Sequence, residues 1–285
     1  NCTYCAIPMI RGKFRSRKPE AVIAEAESLA KSGVKELIII AQDTTRYGTD
    51  LFGKPSLATL LEKLVEVEGI EWIRIHYLYP EAVTDELIET MAKYDKICSY
   101  VDMPIQHINN EILRRMARRT NRAEIESRIN KLREKIPGCI IRTSIIVGFP
   151  GETDEQFQEL YGFVKEAHID RMGVFAYSQE EGTPAANFEN QVTEEVKQER
   201  LDKLMTLQQG ISLEMNRARI GSVIDVIVEG YDEDNFLFVG RSRGDSIDVD
   251  GKVYFGTETE VEPGDIIKVK ILDADEYDLT GNRVD

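Results

Sequence analysis

Cysteine is scarce in this sequence, which has four thiols in 285 residues. So few cysteines in so long a chain exclude the disulfide framework on which small secreted domains depend. A reducing, cytoplasmic setting is therefore expected. Two of the four, Cys2 and Cys5, are close enough in sequence to converge on one metal ion instead.

Long apolar runs are also absent, since none approaches the roughly 18 residues that a membrane span requires. Hydrophobic residues make up 42% of the chain and charged residues 31%, as in ordinary globular proteins with a sizeable core. The first residue is not methionine, and no charged-then-apolar leader precedes the first motif. We therefore expect no membrane span, and we expect the native N-terminus and any targeting signal to lie upstream of Asn1.

Basic residues are outnumbered, so the formal net charge is −15, and this charge is unevenly distributed. Residues 219–285 contain 7 Lys and Arg against 17 Asp and Glu, which gives that segment −10 and the first 218 residues −5. A segment that acidic repels phosphate backbones and attracts basic partners. Nucleic acid is therefore not expected as the primary target.

Residues 1–190 alternate strand-like and helix-like stretches in cycles of about 30 residues, the length of a strand–helix unit. Such repetition predicts an α/β domain with a parallel sheet, and periodicity alone does not distinguish an open sheet from a barrel. The pattern ends at Gly182-Thr183-Pro184, and an amphipathic connector helix is predicted over 194–217. The predicted strands are 37–41, 72–76, 100–103, 140–147 and 172–177. The helical stretch 109–136 is predicted to break into two helices near Thr120-Asn121.

After Gly221 the pattern changes to short strands separated by polar turns such as Asp232-Glu233-Asp234-Asn235. Within 266–272, Ile and Val alternate with Lys, which predicts one buried and one exposed face. A segment of this size and pattern predicts a small antiparallel barrel. The domains are accordingly placed at 1–190, 191–217 (a linker helix) and 218–285.

Polar and aromatic side chains follow each predicted strand, where the active sites of parallel α/β folds gather. The pattern suits a polar small molecule held across the strand ends. Simpler interpretations also stand: Gly148–Thr153 as a turn that caps the next helix, His107 as a satisfied polar residue, and Cys98 and Cys139 as small buried hydrophobes. The post-strand segments are 42–45, 76–80, 104–107, 148–153 and 178–181.

The Cys2 and Cys5 pair fits three kinds of site when its spacing alone is considered: zinc, a redox dithiol and an iron–sulfur cluster. Zinc would require a second pair, and the later cysteines stand alone. A redox dithiol should open a helix, whereas Pro8 and Gly12 predict a loop here. Thiolates on such a loop are suited to wrapping a cluster.

Several sequence motifs of this chain resemble those of the radical S-adenosylmethionine methylthiotransferases. Asn1-Cys2-Thr3-Tyr4-Cys5-Ala6-Ile7-Pro8 is similar to their cluster signature, in which a third cysteine lies upstream of Cys2. Segment 146–153 is similar to their glycine motif, and Gln42-Asp43 to their post-strand polar pair. The resemblance spans the chain and implies a partial (β/α) TIM-like radical-SAM barrel, a linker helix and a small all-β, OB-like TRAM barrel.

Two types of this family differ in substrate, and the motifs favour one of them. Segments 76–80, 102–107 and 177–183 resemble the type that modifies an aspartate of small-subunit ribosomal protein twelve. The acidic C-terminal segment agrees, because a barrel that grips tRNA should be basic. The alternative is a tRNA adenosine methylthiotransferase.

The resemblance implies a 4Fe–4S cluster held by Cys2, Cys5 and the upstream cysteine, with S-adenosylmethionine chelating the open iron. One-electron cleavage would give a 5′-deoxyadenosyl radical that removes hydrogen from the aspartate β-carbon, where a methylthio group is added. No catalytic side chain is assigned. The expected cofactor-binding residues are Gln42, Asp43, Gln106, Arg142, Ser144, Gly148 and Gly151.

Further parts of such an enzyme are implied by the resemblance. A second cluster, the sulfur donor, belongs to an N-terminal domain that this chain is expected to lack, so the chain alone is expected to be inactive. An electron donor such as flavodoxin or ferredoxin is expected as a partner. Two other classes stay open: a hydrolytic or isomerase barrel with zinc at Cys2 and Cys5, and a non-catalytic adaptor that binds a basic protein through the acidic barrel.

Overall fold

The computed structural model describes residues 2–284, so Asn1 and Asp285 lie outside the described residues. Its first part alternates helices with parallel strands, as the sequence predicts. No helix among the described residues is long and apolar enough to cross a membrane. The helices of this part are α1 (Ile7–Arg11), α2 (Pro19–Lys31), α3 (Thr49–Phe52), α4 (Leu57–Leu64), α5 (Asp85–Lys93), α6 (Asn110–Arg115), α7 (Arg122–Lys135) and α8 (Asp154–Ala167).

The parallel strands form an open half-barrel from two sheets, one of β1 and β2 and one of β3, β4 and β5. Isolated bonds link the two sheets: the Ile73 N–H donates to Lys96 O at 2.7 Å, and the Leu78 N–H donates to Asp102 O at 2.8 Å. Apolar side chains on the outer face of the sheet pack against the helices. The strands are β1 (Glu36–Ile39), β2 (Trp72–Ile75), β3 (Tyr100–Asp102), β4 (Ile140–Val147) and β5 (Arg171–Ala176).

Two local predictions meet different outcomes. The predicted break between two helices near 120–121 is confirmed, because Asn121 caps α7 by accepting from the Glu124 N–H at 3.1 Å. The loop predicted after Cys5 is in part wrong, since α1 forms there. Proline is tolerated in a first helical turn, so Pro8 does not prevent it, and Gly12 at φ 77° ends it.

The second part is a closed barrel connected to the first by α9 (Glu194–Arg217). Four of its five strand pairings are antiparallel, but β10 pairs with β8 in parallel, so the prediction of a purely antiparallel barrel is wrong at that seam. The alternation of apolar and polar residues does not reveal a parallel pairing, because the direction of pairing depends on the path that the chain takes between the two strands. The strands are β6 (Val223–Asp232), β7 (Leu237–Ser242), β8 (Val253–Gly256), β9 (Ile266–Ala274) and β10 (Leu279–Val284).

Buried charged side chains join the two parts, and we call this set the junction. Arg74, which is fully buried on β2, donates to Glu36 at 2.8 Å, and Glu36 also receives Arg241 of the barrel at 2.6 Å. Arg171 of β5 donates to Asp245 of the barrel at 2.9 Å. Burying any of these charges without its partner would cost free energy. The barrel therefore supplies counter-charges for buried charged groups of the half-barrel.

A second set of junction contacts runs through His76 and Arg142. His76 lies 2.8 Å from Ser246 Oγ of the barrel and 3.2 Å from Asp102. Arg142 donates to Asp102 at 3.0 Å and lies 3.4 Å from Asp250. Burial opposes ionisation of Asp102, but His76 and Arg142 outweigh it and lower the pKa of that carboxyl. Asp102 therefore remains an anion inside the fold.

Substitution of Asp245 by Asn should destabilise the protein by about 3 kcal/mol, because it leaves the buried Arg171 without its counter-charge. The free energy of unfolding from urea titration measures this, with the exposed Asp248→Asn in the same loop as matched control. Equal unfolding free energies for the two variants would contradict a junction role for Asp245.

The same pair predicts a pH dependence. Burial opposes ionisation of Asp245, yet Arg171 and Arg219 hold its pKa below the ordinary value. A lowered folded-state pKa stabilises the protein fully above the ordinary aspartate pKa of about 4, and this contribution is lost as the pH falls through the folded value. The stability difference between wild type and Asp245→Asn should therefore shrink in acid, as measured by urea titration at several pH values.

Candidate functional site

Cys2 and Cys5 lie at the two ends of a turn, in which the Cys5 N–H donates to Cys2 O at 3.3 Å. The ends of such a four-residue turn are within about 7 Å of each other. Both side chains are partly exposed. The two thiols are therefore close enough to bind one metal centre and are accessible to it.

Thr3 fixes this turn to two distant parts of the chain. Its N–H donates to Met116 O at 3.1 Å, and its hydroxyl donates to Arg115 O at 2.8 Å, just after α6. Its carbonyl accepts from the Ala185 N–H at 2.9 Å. Sequence reasoning missed Thr3, because its partners are far along the chain and leave no local pattern.

Tyr4 packs the turn onto the end of β4. Its ring meets Phe149 edge to face at 6.5 Å between centroids. It borders a buried apolar cluster that includes Met116, Phe149 and Tyr177. Tyr4 thereby brings the cysteine turn against the glycine segment 148–151, which follows β4 at the strand ends where the sequence predicts the site.

Tyr79 and Arg118 lie beside Cys2. The Arg118 guanidinium is 4.3 Å from the centre of the Tyr79 ring. Burial, and then the Cys2 thiol, raises the pKa of Tyr79 to about 12. Tyr79 is therefore a neutral phenol at physiological pH, able to donate a hydrogen bond. Arg118 is absent from the sequence-based candidates, although it follows α6 directly.

The segment Gln42-Asp43 follows β1 and faces the same edge of the half-barrel. Gln42 is exposed, and Asp43 accepts from the Thr45 hydroxyl. Burial raises the pKa of Asp43, with Thr45 and Arg46 opposing it. Asp43 in turn contributes to the raised pKa of Tyr79, so these two side chains are neighbours at this edge.

Gln106 and Ser144 are also brought together. The Gln106 N–H donates to Ser144 O at 2.9 Å, and Gln106 O accepts from the Ile146 N–H at 2.8 Å. Gln106 has φ of 69°, in the left-handed region that a non-glycine residue adopts only at a cost. The fold thus fixes the backbone of Gln106 beside β4.

Arg142 lies elsewhere. It precedes Ser144 on β4 by two residues, which is about 7 Å along the strand, and its guanidinium contacts Asp102 and Asp250 at the junction. These ion pairs do not favour its assignment to the cofactor, which stays a prediction without support from the geometry.

Gly148 and Gly151 have φ of 69° and 76°, and neither has room for a side chain. A Cβ at Gly148 would overlap Lys197 of α9, and one at Gly151 would overlap the Arg115 guanidinium. Protein side chains thus lie close against the backbone at both glycines. Their contact with a nucleoside stays a prediction.

Glu152 is hydrogen-bonded to the backbone of the glycine segment 148–151. Its carboxylate, which is fully buried, accepts from the N–H groups of Gly148 and Phe149. Arg200 of α9 lies 3.4 Å from the same carboxylate and donates to Glu152 O at 3.2 Å. The interpretation of 148–153 as a cap also holds, because Thr153 accepts from the Gln156 N–H at 3.3 Å. The linker helix therefore contacts the site directly.

The remaining candidates are buried. His107 Nδ1 accepts from the Asn109 N–H at 2.9 Å, but its Nε2 has no hydrogen-bond partner among the described residues, so His107 is satisfied at one ring nitrogen only. Cys98 and Cys139 are buried, and burial raises the pKa of both thiols, that of Cys139 to about 12. The interpretation of these two cysteines as small buried hydrophobes is confirmed.

The donor set at the turn is incomplete within residues 2–284, where no group of three His, Cys, Asp or Glu side chains is placed to hold a metal. Cys2 and Cys5 offer two thiolates, the ligand type that iron–sulfur clusters require. They fit such a cluster as two of its ligands. A zinc site with four protein ligands finds no support among these residues.

Comparison with known proteins identifies two family matches. Residues 1–164 match the Radical SAM superfamily, and residues 220–284 match the TRAM domain. Among solved structures, coproporphyrinogen III oxidase (HemN) from Escherichia coli, a radical SAM enzyme, superposes with a TM-score of 0.52 at 17% identity. That superposition covers 74% of this chain and 50% of the oxidase, and at this identity it shows the fold alone.

Curated relatives are considerably more similar. The ribosomal protein uS12 methylthiotransferase RimO of Clostridioides difficile is 53% identical over 99% of this chain. The protein of the same name from Pelotomaculum thermopropionicum is also 53% identical over 99% of this chain. The chain spans 63% and 64% of the lengths of these two relatives.

Substitution of Cys2 or Cys5 by Ala should abolish binding of the cluster at the turn, because each removes a thiolate ligand, and the full-length protein should then keep at most the iron of the second cluster that the family resemblance implies. Iron and sulfide analysis after anaerobic reconstitution measures this, with the buried Cys98→Ala as matched control. Full iron content in either turn variant would refute the ligand assignment, and stoichiometric zinc in place of iron would favour a zinc site.

Proposed function

The chain belongs to the radical SAM superfamily, and from that membership we propose that the full-length protein is a methylthiotransferase acting on an aspartate of ribosomal protein uS12. The observation that carries the proposal is the 53% identity to two uS12 methylthiotransferases across 99% of the chain. The anchored Cys2 and Cys5 turn supports it, since the turn offers thiolates where the superfamily places its 4Fe–4S cluster.

The chain's own residues bind and orient the reactants. When bound, the cluster and S-adenosylmethionine supply radical abstraction of hydrogen from an unactivated carbon. Cys2 and Cys5 hold the iron, and Thr3 sets the position of both through its three backbone contacts. Gln106 and Ser144 present polar side chains at adjacent positions and are proposed to hold polar groups of S-adenosylmethionine.

Two residues are proposed to control water and charge around the cysteines. The neutral Tyr79 phenol adds no negative charge beside the thiolates. Tyr4, packed edge to face on Phe149, places the turn against an apolar surface. A dry and apolar surrounding strengthens every electrostatic contact within it.

The acidic barrel is proposed to bind the basic protein substrate. Of its formal charge of −10, Asp245 and Asp250 are committed to Arg171 and Arg142 at the junction and Arg241 to Glu36, which leaves −9. The exposed carboxylates concentrate at 233–234, 258–262 and 273–276, in the loops and at the strand ends beside them. Such a surface attracts a basic ribosomal protein and repels tRNA.

Other parts of the enzyme are proposed from the same relatives. The curated relatives contain segments beyond the length that this chain spans, and a second cluster that supplies sulfur is proposed to lie there. Superfamily members need a reductant, proposed here to be flavodoxin or ferredoxin. A cytoplasmic location, where ribosomes are assembled, accompanies these proposals.

The decisive experiment compares uS12 with tRNA as substrate of the anaerobically reconstituted full-length protein. Mass spectrometry should show a methylthio group on one aspartate of uS12 and none on tRNA. Modified adenosine in tRNA with unmodified uS12 would refute the substrate assignment in favour of the tRNA type. Binding of uS12 without modification of either substrate would favour the adaptor.

Charge reversal of the barrel should weaken uS12 binding. The double substitution Glu258→Lys and Glu260→Lys is expected to lower affinity at least threefold, measured by fluorescence anisotropy at low salt. Glu62→Lys with Glu66→Lys makes the same change of net charge on exposed positions of the half-barrel. Equal affinities for the two variants would refute a docking role for the barrel surface.

A further inference from the structure

Arg118 lies beneath the cysteine turn and is almost completely enclosed. Its side chain is 1% exposed. One guanidinium nitrogen, Nη2, donates to Pro104 O at 3.0 Å, and the guanidinium stacks 4.3 Å from the centre of the Tyr79 ring. The chain turns sharply just before it, at Ala117 with φ of 57°. The position of Arg118 is therefore set by both its backbone and its ring contact.

Two of its donors have no partner among residues 2–284. Nε and Nη1 are buried and make no hydrogen bond. The carboxylate in closest reach, that of Glu81, lies 3.7 Å from Nη2, the nitrogen that is already engaged. Leaving charged donors buried and unpaired is costly, and folded proteins rarely do so. These two nitrogens are therefore available to an acceptor outside the described residues.

The structure places this acceptor at the cysteine turn. Residues 115 and 116, which precede Arg118, are bonded directly to Thr3 between the two cysteines. A guanidinium stays protonated in proteins, so Arg118 is a fixed cation in the segment that Thr3 bonds to the cysteine turn.

We propose that Arg118 is a positioning residue for the iron site, with Nε and Nη1 donating to sulfur of the cluster that Cys2 ligates. Its charge then stabilises the reduced cluster, which carries one more electron from the low-potential donor that the superfamily requires. Hydrogen bonds to sulfur and local net charge are the features through which proteins set cluster potentials. The inference rests on the superfamily's cofactor and is independent of the uS12 substrate.

The test uses the full-length protein reconstituted anaerobically, with Arg118→Met, Arg118→Lys and the exposed neighbour Arg119→Met as matched control. Iron content, the reduction potential followed by electron paramagnetic resonance, and S-adenosylmethionine affinity by equilibrium dialysis are measured for each. Arg118→Met should disfavour reduction at least tenfold, a shift of about 59 mV to more negative potential for a one-electron couple. Arg118→Lys should give a smaller shift in the same direction, and Arg119→Met none.

The outcomes separate this inference from the proposed function. Wild-type potential in Arg118→Met with full iron overturns the inference alone, and a loss of S-adenosylmethionine affinity at unchanged potential assigns Arg118 to that ligand instead. If Arg118→Met fails to hold iron, Arg118→Lys decides, and wild-type potential there overturns the inference. A wild-type protein that takes up no iron would defeat the proposed function itself.

Discussion

The structure depends on how an open half-barrel of parallel strands satisfies the charged side chains on its inner face. Arg74, Asp102, Arg142 and Arg171 point into the space that a complete barrel would fill with side chains of its own. A loop of the second barrel fills this space instead. It brings Asp245 to Arg171 and Asp250 to Arg142. Because ions buried without partners are strongly unfavourable, the two barrels behave as one unit in folding. Trp72 and Tyr100 pack with Ile227 of the barrel and add an apolar contact between the two parts.

The linker helix α9 connects this junction with the cysteine turn. At its N-terminal end, Lys197 packs on Gly148 and Arg200 holds Glu152. Further along, Gln208 donates to Ile169 O at 2.9 Å, and Asn216 reaches Asp275 O of the barrel at 3.1 Å. One helix thus sets the position of the glycine segment relative to the acidic barrel. The acidic barrel is therefore held at a fixed distance from the cysteine turn.

Much of the fold follows from local patterns, and much of the site does not. Strand and helix order, the break near Asn121 and the burial of Cys98 were predictable, because hydrophobic periodicity and capping act over a few residues. Thr3 and Arg118 were not, since their roles arise from tertiary contacts that local sequence does not encode. The same limit explains Arg142: its polar character suggested a ligand contact, but its partners come from the other barrel. Residue type predicts what a side chain can bind, whereas topology decides what it meets.

The contacts of Thr3 have a consequence for the order of assembly. The three residues it bonds, Arg115, Met116 and Ala185, lie more than a hundred positions away in sequence, so the cysteine turn has very high contact order. Such non-local contacts form late, after the elements on both sides have folded. The cysteine pair is therefore no autonomous metal-binding peptide during synthesis. The turn is held in place only once α6 and the segment after β5 have folded, because both supply the backbone groups that Thr3 contacts.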